Sequence, residues 1–87
     1  MTWTVWVRDG GRRLRFHTVD VSKGGAKLRP KGPFQLGTPV DLVFITPRHR
    51  VRVSGVVWRV DADGMVVLFL GRVPEALTIY ANAAKRD

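Results

Sequence analysis

The 87 residues carry a net charge of +8, from 15 Lys+Arg against 7 Asp+Glu, and contain no cysteine. Such a length is that of one small domain, so residues 1–87 are expected to fold as a single unit. The missing cysteines exclude a disulfide frame and a thiolate metal site, and the positive balance favours anionic partners. No apolar run approaches the roughly 18 residues of a helical membrane span. The N-terminal Met1-Thr2-Trp3-Thr4 is too short and too polar for the apolar stretch of a signal peptide. A cytoplasmic location is therefore expected.

Trp3, Val5 and Val7 alternate with Thr2, Thr4, Trp6 and Arg8. A period of two with aromatic and β-branched residues predicts a strand. Asp9-Gly10-Gly11 predicts a tight hairpin turn. The return strand is predicted over Arg12–Val21, with Leu14, Phe16 and Thr18 on one face and Arg13, Arg15, His17 and Val19 on the other. Gly24-Gly25 breaks the extended run, and a short strand is expected at Ala26–Arg29. Pro30-Lys31-Gly32-Pro33 reads as a loop. Val40–Thr46 is a strongly apolar strand, turned by Pro47-Arg48-His49. Arg50–Val60 is a long strand with Gly55 in its middle, where a glycine marks a bulge or a barrel corner. Asp61-Ala62-Asp63-Gly64 is a turn, and Met65–Leu70 is a last strand that is apolar on both faces. After Gly71, Val73-Pro74-Glu75-Ala76-Leu77 opens a helix over about 74–85. Its stripe of Val73, Leu77, Tyr80, Ala81 and Ala84 is expected to pack on the sheet. The pattern predicts an all-β fold: a six-stranded antiparallel barrel over about 2–71 with one C-terminal helix.

Catalytic constellations are sparse. His17 and His49 are far apart, and neither has an adjacent nucleophile. Asp9, Asp61 and Asp63 sit at turns, where aspartate is ordinary. No glycine-rich loop leads from a strand into a helix. The expectation is a protein that is not an enzyme, with no metal site and no resident cofactor.

Asp20-Val21-Ser22-Lys23-Gly24-Gly25 holds the pattern Asp-x-Ser-x-x-Gly. Asp20 and Ser22, two apart on an extended chain, point the same way. A carboxylate there can accept two parallel N–H bonds, as from the edge of a guanine. Gly24 and Gly25 let a backbone approach closely. Equally, Asp20 and Ser22 can bond the amides of their own turn.

The motif ends a hairpin and is followed by Ala26-Lys27-Leu28, the Val56-Val57-Trp58-Arg59 strand and the Gly64-Met65-Val66-Val67-Leu68-Phe69 strand, then a helix with Leu77 and Tyr80. Over almost the whole chain this arrangement resembles the PilZ domain family. The resemblance implies a six-stranded barrel without catalytic activity that binds cyclic di-GMP and passes the signal to a partner protein in a bacterial pathway. It implies Asp20, Ser22 and Gly25 as ligand contacts, with Gly24 beside them. Trp58 either stacks on a guanine, as an aromatic on this strand does in some family members, or fills the core or rim of the barrel.

The family's site has a second part, an Arg-x-x-x-Arg segment before the first strand. Here the chain begins inside that strand, at Met1-Thr2-Trp3, and Arg8 and Arg12, which have the spacing, belong to the hairpin. Charge-assisted hydrogen bonds contribute roughly 1.5–3 kcal/mol each. Two missing arginines therefore remove about 3–6 kcal/mol, or two to four decades of affinity. The expectation is a signalling adaptor with a weak or incomplete cyclic di-GMP site, which arginine from a partner or a second subunit would complete. The alternative is a small basic barrel that binds single-stranded nucleic acid, with Trp6 or Trp58 as stacking platform. A third reading is a structural subunit whose barrel presents an oligomerisation surface. Trp6 and Val19 are expected to form a small exposed patch. Arg12, Arg13, Arg15, Arg50 and Arg52 either bind phosphates or make a solvated face.

Overall fold

The computed structural model describes residues 2–71, and the helix predicted over about 74–85 lies outside them. Strands run β1 (Thr4–Asp9), β2 (Arg12–Val21), β3 (Gly25–Arg29), β4 (Pro39–Ile45), β5 (Arg50–Val60) and β6 (Met65–Phe69). They close into a barrel in the order β1-β2-β3-β6-β5-β4, and every neighbouring pair is antiparallel. Closure leaves none of these strands with an unpaired edge. No helix among the described residues is long and apolar enough to cross a membrane.

Alternation along each strand fills the barrel. Val5 and Val7 of β1, Phe16 of β2, Leu28 of β3, Leu42 and Phe44 of β4, Val53 and Val57 of β5, and Met65 and Val67 of β6 are all buried. Phe44 meets Phe69 edge-on, with ring centroids 5.9 Å apart. On β6 the alternate residues Val66 and Leu68 face outward and are half-buried.

Of the two roles expected of Gly55, a bulge or a barrel corner, the bulge is not the one it has. A Cβ there would stand 2.6 Å from Val67 Cγ1 and 2.8 Å from the Leu68 carbonyl oxygen. The glycine lets β5 and β6 approach closely, and the bulge in β5 falls three residues later. Val57 and Arg59 pair with the consecutive residues Val67 and Val66, so Trp58 is the extra residue. A second bulge interrupts β2: Thr18 and Asp20 pair with the consecutive residues Leu28 and Lys27, leaving Val19 extra.

Each bulge resets the alternation. Thr18 points inward, Val19 and Asp20 both point outward, and Val21 returns to the core. Strict period two would have turned Asp20 inward with Phe16 and Thr18. In β5, Val57 points inward while Trp58 and Arg59 are both exposed.

The N-terminal entry to β1 is tied to the same part of β2. Trp3 N–H donates to Thr18 Oγ1 at 2.8 Å, and Thr18 N–H donates to the Trp3 carbonyl at 2.9 Å. Thr18 is buried, so its hydroxyl is not exchangeable for water at no cost. Thr18→Val keeps the shape and removes that acceptor. It is expected to cost about 1 kcal/mol and lower Tm by about 4–8 °C in a domain of this size, as read by a thermal melt.

Candidate ligand-binding site

Register places four residues in one row across the outside of the barrel. Asp20 pairs with Lys27, Lys27 with Val66, and Val66 with Arg59. Neighbouring strands lie about 4.8 Å apart, so the row spans about 14 Å. The two bulge residues stand at its ends: Val19 is 42% exposed on β2, and Trp58 is 63% exposed on β5. Thus an acceptor, a cation, an apolar side chain and a second cation are aligned, with an exposed apolar residue at either end.

The turn beside Asp20 is held from within. Ser22 N–H donates to the Gly25 carbonyl at 2.8 Å, and Ser22 Oγ donates to the same carbonyl at 3.3 Å. Its hydroxyl therefore serves the turn, which is the second of the two roles open to it from sequence. Asp20 differs. Its side chain is exposed and has no hydrogen-bond or ion-pair partner among the described residues.

The two glycines divide in the same way. Gly24 is exposed, and a Cβ on it would meet nothing within 4 Å. Gly25 is buried against β6, where a Cβ would overlap the Val67 carbonyl oxygen and come 3.3 Å from Leu68 Cα. The need for glycine at 25 comes from barrel packing.

The cations of the row are partly neutralised by the Asp61–Gly64 turn. Lys27 Nζ lies 3.6 Å from Asp61 and 3.9 Å from Asp63. Arg59 reaches Asp61 through Nε at 3.2 Å, and its second nitrogen donates to the other oxygen at 3.4 Å. Arg29 pairs with Asp63 at 2.8 Å. Each pair is part-exposed and contributes little to stability, but together they lower the positive potential beside Asp20.

Asp20, Ser22, Gly24 and Gly25 are therefore brought together at one end of the barrel, and Trp58 stands three strands away on the same outer sheet. Trp58 is exposed, which removes the core reading for it. The expected Trp6–Val19 patch does not form. Trp6 pairs with Arg15, four residues from Val19 along β2. Arg8 and Arg12 flank the β1–β2 turn. Arg12 and Asp20 are eight residues apart on β2, about 27 Å along the strand. Lys27, Val66 and Arg59 were missed from sequence. The signal that would have found them is the double break in alternation, at Val19-Asp20 and Trp58-Arg59.

The sequence profile of the PilZ domain family matches residues 2–77. The chain belongs to the PilZ family. No curated protein matches it. Membership ties this barrel to a family of the cyclic di-GMP-binding, adaptor type, typically non-catalytic.

Proposed function

We propose that this PilZ domain is a non-catalytic signalling adaptor that takes cyclic di-GMP weakly against the outer face of β2-β3-β6-β5. Asp20 accepts the N–H groups of one guanine edge, and Val19 and Trp58 offer apolar surface to the bases. Ser22 and Gly25 act by holding the turn, and Gly24 leaves room above it. The observation that carries the reading is the Asp20 carboxylate, turned outward by a bulge and left without a partner among the described residues. Low affinity follows from the cations. The ligand is anionic, and the row's Lys27 and Arg59 are already engaged by Asp61 and Asp63.

Calorimetry with cyclic di-GMP at low and physiological salt tests this. Binding is expected in the high-micromolar to millimolar range, weaker at higher salt, and lost in Asp20→Ala. Tight binding that Asp20→Ala leaves intact would contradict the proposal. A second variant probes the charge argument. Asp61→Asn releases Arg59 and leaves Lys27 only its 3.9 Å contact with Asp63, so affinity is expected to rise about three- to tenfold at low salt. An unchanged or weaker affinity in that variant would show that the Asp61 pairs do not limit binding.

A further inference from the structure

The barrel has a second face with a different chemistry. In the ring of strands, β1 and β4 stand opposite β6 and β3. On that side a groove of about 640 Å³ runs across the outer surface. Its floor is Trp6, Val43 and Ile45, all half-buried. Its rim is Arg8, Arg13, Arg50 and Arg52, all exposed. Strand order builds it: Trp6 pairs with Val43, Val43 with Arg52, and Ile45 with Arg50.

Among the described residues, none of these four arginines makes an ion pair. Five carboxylates fall among the described residues: Asp9, Asp20, Asp41, Asp61 and Asp63. The ion pairs among these residues all go to Asp61 and Asp63, and all come from Lys27, Arg29 and Arg59 on the other side. Asp41 is the cross-strand neighbour of Arg8, yet its carboxylate accepts from Ser54 Oγ at 3.3 Å. Four guanidiniums around one groove therefore repel each other and attract an anion.

The floor decides which anion. The Arg13 guanidinium sits over the Trp6 ring at 4.5 Å from its centroid. A half-buried indole capped in this way offers no stacking platform to a base. Val43 and Ile45 offer branched aliphatic surface, which a sugar-phosphate chain does not match and an aliphatic side chain does. Guanidiniums take carboxylates in paired, planar geometry.

We propose that this groove docks an acidic segment of a partner protein, in which Asp or Glu residues alternate with aliphatic ones. The carboxylates engage the arginine rim and the aliphatic side chains lie on Val43 and Ile45. This names the output surface of the adaptor; it rests on that reading only for there being a partner at all.

The probe is an end-labelled synthetic peptide alternating Glu with Leu, followed by fluorescence anisotropy. About ten residues suffice, since at about 3.3 Å per residue they span the 31 Å long axis of the protein. An all-Glu peptide of equal length and a thymidine oligonucleotide are the comparisons. The alternating peptide is expected to bind at least about tenfold more tightly than either. The double variant Arg50→Glu/Arg52→Glu is expected to weaken it by about tenfold or more. Both arginines are exposed, and Arg52→Gln, checked by thermal melt, separates loss of charge from loss of fold. Equal binding of the all-Glu peptide would overturn the aliphatic floor. Tighter binding of the oligonucleotide would assign the groove to nucleic acid, and indifference to the arginine variants would remove the site. Asp20→Ala is expected to leave peptide binding unchanged. Retained peptide binding without cyclic di-GMP binding would remove the proposed ligand and keep the groove; the reverse would remove the groove alone.

Discussion

Gly25→Ala is expected to lower Tm by roughly 10–20 °C, whereas Gly24→Ala leaves it unchanged. The two residues are adjacent in the same motif, and their surroundings differ. At 25 the added methyl overlaps the Val67 carbonyl oxygen, which is backbone and cannot turn aside. β3 and β6 must part for it to fit, and those strands pair over Gly25–Leu28 and Met65–Leu68. Forced overpacking of this kind costs about 2–3 kcal/mol, and each kcal/mol is worth about 4–8 °C in a domain of this size. At 24 nothing lies within 4 Å. Thermal melts of the two variants check this. Gly25→Ala is also expected to lose ligand binding in proportion to its loss of folded protein, so binding measured well below its Tm would recover. A Gly25→Ala protein with wild-type Tm and no binding would place Gly25 against the ligand instead of against β6.

Asp20→Ala is expected to do the opposite: no change in Tm, and a loss of two to four decades in cyclic di-GMP affinity. The side chain is exposed and has no partner among the described residues, so truncating it breaks no contact of the fold. Its two oxygens are free to accept a pair of charge-assisted bonds, each worth roughly 1.5–3 kcal/mol, and every 1.4 kcal/mol or so is a factor of ten. Asp20→Asn keeps one acceptor oxygen and loses the charge, so an intermediate affinity is expected. Calorimetry reads the parent and Asp20→Asn, and no heat of binding is expected from Asp20→Ala. If Asp20→Ala bound as well as the parent, the carboxylate would not face the ligand.

Much of the barrel was legible in the chain. Alternation and turn residues located six strands, and β2 and β5 coincide with the runs read from Arg12–Val21 and Arg50–Val60. The bulges were not legible as such, because period-two reasoning assumes an unbroken ladder. The extra residue in β2 is what turns Asp20 outward, and the extra residue in β5 exposes Trp58 and Arg59 together. Gly55 reads from sequence as a bulge or a barrel corner, because glycine inside a strand has more than one cause, and only the position of Val67 distinguishes them. The same holds for Gly25: the motif suggests a role toward a ligand, while the neighbouring strand shows a role in packing. The arginine groove was hidden for a topological reason. Trp6 on β1 meets Val43 on β4, more than thirty residues later, and that pairing comes only from barrel closure. The charge segregation was hidden likewise, since Asp61 and Asp63 reach Lys27 and Arg29 only once β3 lies beside β6.

An amide-resolved NMR titration with cyclic di-GMP tests the ligand face most directly. The expected shifts are at Val19–Gly25, Lys27, Val66, Trp58 and Arg59, saturating at high-micromolar to millimolar ligand, with the Trp6, Val43 and Arg52 amides unmoved. Shifts centred on Trp6, Val43 and Arg52, or none at saturating ligand, would contradict it.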